Sequence, residues 1–443
     1  MAKFQLSKSS YIRGLQCLKS LYLYKFHYEQ RDKISRQQLA RFNRGHDIGK
    51  LAQQLFPGGI DASISAKQKS LQAQLKTFEL IQHGHNIIYE ASFVYDDVWV
   101  IADIIEKKDE GWKVYEVKSS AAISDTYMND AALQYYVISN ALPQLTQQPV
   151  IDFSLIYVNR NYVREEKIDL NKMFLTSSVR NFCEDNLSLV TSKIAKAKDV
   201  LENGKVPAIE TGDHCFKPYT CDYIGTCWKN RPLPQEQLPV PDKEKIKLFF
   251  DATPSFNMLE WIMHRPAMPP FIKTRPYQAQ VFSIRTELFQ AGKSNSTNYV
   301  ADSGMDPNLA VIPEMIKLLK NALPILVCNF ESKQRALIEM ADNYPQFKSE
   351  LQDISERLVD MFSLFQVDAK SEATLELLLK VTKLKKPFIK SSVFDDISAA
   401  ASFEKMQNHL DLFANEESRQ AIEDYNSLNM SMFLKALQNL RLL

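Results

Sequence analysis

Two carboxylates and a lysine sit where short strands end, in the stretch from Glu90 to Tyr136. Asp103 follows the apolar run Val98-Trp99-Val100-Ile101-Ala102, and Glu116-Val117-Lys118 follows Trp112-Lys113-Val114-Tyr115. The polar, glycine-containing turn Lys107-Lys108-Asp109-Glu110-Gly111 between the runs predicts a hairpin. Pairing of its strands brings Asp103 and Glu116 to neighbouring ends of a sheet. Two carboxylates there can hold a hard divalent cation such as Mg²⁺, which takes oxygen ligands and keeps waters for chemistry. Lys118, two residues after Glu116 and so on the same face of its strand, could orient or polarise an attacking water beside that cation. A solvated strand edge can carry the same Glu-x-Lys without chemistry.

A second concentration of reactive side chains lies between His214 and Cys227, where Cys215, Cys221 and Cys227 account for three of the six cysteines. In a reducing cytoplasm a disulfide explains such clustering poorly, and a metal or cluster site explains it better. Cys183 and Cys328 are read as packing residues, since a buried free cysteine behaves as a small apolar group.

Around these residues the chain reads as a soluble α/β protein. A length of 443 residues accommodates two or three domains, and 45% hydrophobic with 24% charged residues is an ordinary globular composition. Only 12 glycines argue for many helices and few tight turns. No apolar run approaches the roughly 20 residues that span a bilayer, and the start lacks the apolar stretch of a secretory signal; the expected compartment is the cytoplasm, with no membrane partner. The net charge of +1 conceals a basic start, because residues 1–60 hold 11 lysines and arginines against 3 acids. In Tyr22-Leu23-Tyr24-Lys25-Phe26-His27-Tyr28 basic and aromatic residues interleave, which suits phosphates and unstacked bases. A helix whose tyrosines cover a core is the alternative for any one of them.

Residues 7–56 read as mostly helical, with His46 in a Gly-His-Asp stretch. Asp61 to His85 reads as a further helix whose Leu71, Leu75 and Phe78 form an apolar face of helical period. A three-stranded meander from Ile87 to Ser119 follows, then a helix from Tyr127 to Ala141, a buried strand from Val150 to Val158, and a long helix from about Phe174 to Glu202. The proline-rich stretch from Asn230 to Pro241 reads as a linker. Expected domains are therefore residues 1–229, a linker 230–244 and residues 245–443.

Asp103, Glu116-Val117-Lys118 and Gln134-Tyr135 on the following helix resemble the PD-(D/E)XK nuclease superfamily, whose core has the same expected order αβββαβ. One cysteine near the N-terminus and three after that core resembles the RecB-like nucleases that carry a 4Fe-4S cluster. That group includes the CRISPR-adaptation exonuclease and the nuclease domain of a bacterial double-strand-break repair complex. The resemblance implies Cys17, Cys215, Cys221 and Cys227 as cluster ligands. A Cys₄ zinc site has the same ligands, and His214 adds a Cys₃His variant. It further implies His46, Asp103, Glu116 and the Val117 carbonyl as ligands of Mg²⁺ or Mn²⁺, Lys118 as the catalytic lysine, and Glu90 as a supporting residue or a ligand of a second metal. Gln134 and Tyr135 match the helix motif that positions a nucleic-acid backbone, with Tyr22, Tyr24 and Lys25 expected to contact the strand. Ala102 stands where the superfamily's name has proline.

The second half resembles the C-terminal domain of a bacterial family in which a RecB-like half is fused to an RNase H-like, exonuclease-type half. The matching text is Pro266-Ala267-Met268-Pro269, Lys273-Thr274-Arg275-Pro276-Tyr277-Gln278, Ile325-Leu326-Val327-Cys328-Asn329 and Arg357-Leu358-Val359-Asp360. It departs where chemistry occurs. The family's Asp-x-Glu pair falls on Glu260 and Ile262, its Phe-Glu on Ser332-Lys333, and its last carboxylate on Asn429, leaving Asp360 in its expected place. Two-metal catalysis needs several carboxylates, so this half is expected to be inactive and to offer a surface for a protein partner. The whole is expected to be a metal-dependent deoxyribonuclease, an exonuclease on single-stranded DNA ends. The alternative is a non-enzymatic nucleic-acid-binding or scaffold protein with an iron-sulfur or zinc site.

Overall fold

The computed structural model describes residues 5–64, 70–230, 239–290, 293–366, 374–387, 390–408 and 412–441. The chain is a mixed α/β protein of two compact units, Met1–Pro232 and Leu233–Leu443. Most of the proline-rich stretch read as a linker lies outside the described residues, as do residues 65–69 of the helix expected over Asp61 to His85. No helix among the described residues is long and apolar enough to cross a membrane.

The first unit opens with a two-residue strand, β1 (Leu6–Ser7), and two helices, α1 (Lys8–Gln16) and α2 (Leu18–Phe26), that meet at Cys17. Ser7 caps α1, its hydroxyl accepting from the Ser10 N–H. Next come α3 (Arg36–Gln53), β2 (Ile60–Asp61) and α4 (Ser70–Gln82). The meander is β3 (Ile87–Tyr95), β4 (Val98–Lys108) and β5 (Gly111–Lys118), followed by α5 (Asp125–Thr146) and β6 (Val150–Val158). A short α6 (Leu170–Met173) leads into β7 (Phe174–Ser178), α7 (Arg180–Asp185), α8 (Leu187–Asn203) and the small α9 (Ile224–Cys227). Asp109 and Glu110 alone join β4 to β5, because Lys108 pairs with Gly111. Gly111, at φ +149°, lies so close to Pro149 that a Cβ there would stand 2.4 Å from its carbonyl oxygen.

These strands form one sheet in the order β2-β3-β4-β5-β6-β7, with β1 added beside β4. The three meander strands are antiparallel, and β6 joins β5 in parallel after the α5 crossover. Helix α5 buries Ala131, Leu133, Val137, Ile138 and Leu142, and these share one core with Val100, Val114 and Phe153 of the sheet. The region expected to be one helix from Phe174 begins instead as β7, whose residues pair with β6 from Ser154 to Val158. Of the helix expected over Asp61 to His85, the described residues show Ser70–Gln82 as α4, and Ile60 and Asp61 pair with β3 as a strand.

The second unit holds β8 (Val240–Pro241), α10 (Lys243–Ala252), β9 (Phe256–His264), β10 (Gln280–Gln290), β11 (Lys293–Val300), α11 (Pro307–Leu318) and β12 (Ile325–Val327). It continues with α12 (Phe330–Asn343), α13 (Lys348–Glu356), β13 (Leu358–Asp360), β14 (Phe365–Gln366), α14 (Leu375–Val381), α15 (Asp396–Asn408) and α16 (Leu412–Arg441). Its main sheet runs β11-β10-β9-β12-β13, an antiparallel meander to which β12 and β13 add in parallel. Strand β9 is buried over Phe256–Ile262, so it lacks the alternating pattern that would mark it in sequence.

Candidate active site and cysteine pocket

The site forms where β4 and β5 part. Their ladder ends at Ile104–Tyr115, and beyond it β5 pairs only with β6 while β1 pairs with β4 at Val98 and Trp99. The Asp103 carboxylate fills the split, its Oδ2 accepting the Val117 N–H at 2.6 Å. On the other side of β4 the ladder also skips Glu90, which has φ +55° between the paired residues Tyr89 and Ala91. A non-glycine residue held in that region is strained by about 1 kcal/mol or more, and such residues gather at functional sites. Glu90, Asp103 and Glu116 thus stand at one level across three adjacent strands.

Glu116 is 3% exposed, and two ammonium groups converge on its Oε1, Lys118 at 2.7 Å and Lys8 at 2.9 Å. Lys118 also pairs with Asp130 Oδ2 from α5, which lies 3.7 Å from Lys8. Burial opposes the Glu116 charge, but Lys118 and Lys8 outweigh it and hold its carboxyl below the usual carboxylate range. At Asp103 burial, followed by the charge of Glu116, outweighs the opposing pull of Lys8 and the Val117 N–H and pushes the carboxyl well above the usual range. Burial, then Asp61 and Glu116, push Glu90 up to about 7.

Several buried polar atoms here have no hydrogen-bond partner among the described residues: Glu116 Oε2, Asp130 Oδ1, and both amide atoms of the fully buried Gln134. An unsatisfied buried polar group costs about 1–3 kcal/mol, so the atoms fit a site completed by a cation or water. Asp103, Glu116 and Lys118 are brought together as their spacing implied. Lys8 and Asp130 join them, and both were missed. Asp130 was legible, being one helical turn before Gln134 and so on the same face of α5. Lys8 gave no signal, because only the pairing of β1 with β4 brings it here.

His46 is not among the assembled residues. It is exposed on α3, whose buried positions include Ile48 and Ala52, and a residue two before Ile48 points to the other side of the helix. Among the described residues no three His, Cys, Asp or Glu side chains gather closely enough to hold a metal ion. Tyr135 is buried and donates to Glu184 Oε1 at 2.7 Å. Tyr22, expected to meet a nucleic-acid strand, is instead 7% exposed, and its hydroxyl donates to the Gly204 carbonyl at 3.1 Å. Packing against α8 and the chain beyond it uses that face of α2. Tyr24 lies under the Arg13 guanidinium, 4.4 Å from its ring centre, while Lys25 is exposed.

The four cysteines implied as cluster ligands line one pocket. Cys17, Cys215, Cys221 and Cys227 surround about 340 Å³ of space open to solvent, together with His214, Tyr223 and Trp228. All four thiols are free. The segment is tied to the N-terminal helices by Gln16, whose amide donates to the carbonyls of His214 at 2.8 Å and Tyr219 at 2.6 Å. Asp222 accepts from Arg13 and from Arg31, and the Gly225 N–H donates to Asp32 at 3.0 Å. A Cβ on Gly225 would stand 2.5 Å from the Asp32 carboxylate, so glycine permits that approach. The four thiols face one pocket without closing on a common point, and four soft sulfur donors are the set that an iron-sulfur cluster or a zinc ion takes.

In the second unit the corresponding positions are filled from within. Glu260 and Lys333 are buried and paired at 3.2 Å, and the Lys333 ammonium also donates to the Cys328 carbonyl at 2.9 Å. Ile262 is in the core, Asp360 caps the turn at Phe362, and Asn429 accepts from Lys386 at 2.7 Å. Cys183 and Cys328 are fully buried among apolar residues, and burial pushes the Cys183 thiol up to about 12. Residues 258–377, within this unit, match the family model of a domain of unknown function, DUF2779. No curated protein matches the chain.

Proposed function

We propose that the first unit is a metal-dependent nuclease of the RecB-like PD-(D/E)XK type, acting on single-stranded DNA ends. The observation that carries this reading is the meeting of Asp103, Glu116 and Lys118 at the split between β4 and β5, with buried carboxylate oxygens of Glu116 and Asp130 left without a partner among the described residues. The sequence of α4, the three meander strands, α5 and β6 supplies the αβββαβ core that the reading requires. Asp103, Glu116 and the Val117 carbonyl would hold the cation, with His46 outside the set. A divalent cation there supplies neutralisation of phosphate charge and acidification of a water.

The protein's own residues supply orientation. An ammonium has three N–H donors; Lys118 directs one to Glu116 and one to Asp130, leaving one for a water or a phosphate oxygen. Asp130 and Glu116 fix that ammonium beside Asp103, so it stabilises negative charge developing on a phosphodiester without rearrangement. Cys17, Cys215, Cys221 and Cys227 would hold a 4Fe-4S cluster that fastens α1 and α2 to the segment after α8. The second unit is read as an RNase H-like domain without catalysis, in which Lys333 supplies the positive charge beside Glu260 that a metal would supply in an active relative.

The test is cleavage of end-labelled single- and double-stranded DNA with Mg²⁺ or Mn²⁺ by protein purified without oxygen, with iron and zinc measured on the same sample. Cation-dependent cleavage is expected, abolished in Asp103→Ala and Lys118→Ala and reduced about 10- to 100-fold in Asp130→Asn. Folded, metal-loaded wild type that cleaves none of these substrates would defeat the reading in favour of a binding protein.

A further inference from the structure

We infer that Lys8 is a substrate-binding residue of this site, an ammonium that holds Glu116 in the absence of a divalent cation and receives the phosphate of the nucleic-acid strand when the cation takes that carboxylate. The inference rests on the reading of the first unit as a metal-dependent nuclease. Its basis is the unequal placement of the two lysines. Lys118 comes from the strand that carries Glu116, is 12% exposed, and is held by both Glu116 and Asp130. Lys8 is 32% exposed, and beyond Glu116 it reaches only to 3.7 Å from Asp130. Glu116 has both ammonium groups on one oxygen, and Glu116 with Asp130 balances the two lysines, so a cation that takes Glu116 leaves the less firmly held ammonium, Lys8, in excess.

The lysine that is more exposed is also the one delivered from far along the chain. Strand β1 seats in the place that β5 leaves, with Leu6 fully buried and its N–H donating to the Asp97 carbonyl at 2.9 Å. The Ser7 cap then starts α1 at Lys8, which fixes where its side chain sets out. A cation arriving at Asp103 and Glu116 competes with the Lys8 ammonium for the same oxygen. The displaced ammonium, carried on the more exposed of the two lysine side chains, is then available to a phosphodiester entering the site.

Removing this charge has opposite consequences for the two ligands. Full-length wild type, Lys8→Met and Lys8→Arg are titrated with Mn²⁺, read by the electron paramagnetic resonance of the free ion. Their affinity for fluorescein-labelled oligothymidylate in Ca²⁺ is read by anisotropy. Lys8→Met is expected to bind Mn²⁺ about tenfold tighter, because a positive charge beside the ligands is gone. It is expected to bind the oligonucleotide about tenfold more weakly, with Lys8→Arg close to wild type in the second assay. If Lys8→Met is unfolded by circular dichroism, Lys8→Gln takes its place. Wild type that binds Mn²⁺ and oligonucleotide while the neutral variant binds both equally well, or Mn²⁺ more weakly, overturns the role of Lys8 alone. Wild type that binds no Mn²⁺ overturns the nuclease reading and this inference with it.

Discussion

Glu116 and Glu260 are both glutamates buried against lysine, one in each unit, and their surroundings give them opposite character. Two ammonium groups hold the Glu116 carboxyl below the usual range against the effect of burial. At Glu260 burial prevails over the single partner Lys333, and the carboxyl sits above its usual range. A carboxyl raised on folding contributes stability that is complete below its unfolded pKa and is lost as pH rises through the folded value. Deleting Lys333 raises Glu260 further, so the harm done by Lys333→Met deepens with pH. Urea unfolding is expected to show a loss of about 3–5 kcal/mol at pH 8, typical of a buried pair deprived of one partner, and a smaller one at pH 5. Most of the loss is expected to return in Lys333→Met with Glu260→Gln. Equal losses at the two pH values would show that Lys333 acts through packing alone. This contrast explains why residue identity took the sequence only part of the way: Ser332-Lys333 reads as a lost acid, but that the lysine turns inward onto Glu260 depends on how α12 meets β9.

At the scale of elements, the meander, α5 and β6 were legible because their apolar runs are long and bounded by turn residues. Strands β9 and β10 were not legible, since burial on both faces removes the alternation by which a strand is recognised. Helix α4 shows the opposite error. Leu71, Leu75 and Phe78 have helical spacing, yet they are exposed at 62%, 51% and 38%, while Ala73 and Thr77 face the sheet. The small residues are inside because α4 lies close to β3, where the Thr77 hydroxyl accepts the Ser92 N–H at 2.9 Å and donates to the Ala73 carbonyl at 3.1 Å. Thr77→Val keeps the shape and leaves the Ser92 N–H without its partner, which is expected to destabilise by about 1–3 kcal/mol. Leu75→Gln is expected to change stability by no more than about 0.5 kcal/mol. Thermal melts of both variants decide the matter, and a Leu75→Gln protein that melts like a core variant would assign that face to the interior.

At the scale of the first unit as a whole, the cysteine pocket joins two regions that lie far apart in sequence. Cys17 sits where α1 meets α2, while its three companions lie after α8. Gln16, Arg13 and Arg31 already tie the two regions by hydrogen bonds and ion pairs, so the pocket is held in shape by the fold, and the proposed cluster would add a covalent staple. Cys183 provides the control, a fully buried thiol packed in the main core and not among the residues that line the pocket. Cys17→Ser is expected to lose bound iron or zinc and to admit proteolysis after α8, since removing one ligand opens the closed set. Cys183→Ser is expected to keep its metal and lose about 1–3 kcal/mol of stability, from a hydroxyl placed among apolar side chains. Metal content by mass spectrometry, visible absorbance and limited proteolysis on the two proteins separate these outcomes. Iron with a broad visible band in wild type identifies the cluster, and a colourless zinc protein identifies a single-ion site. Full metal retention in Cys17→Ser would mean that the four thiols share a pocket without sharing a metal, and the staple between the N-terminal helices and the segment after α8 would then consist of the Asp222 ion pairs and the Gln16 amide alone.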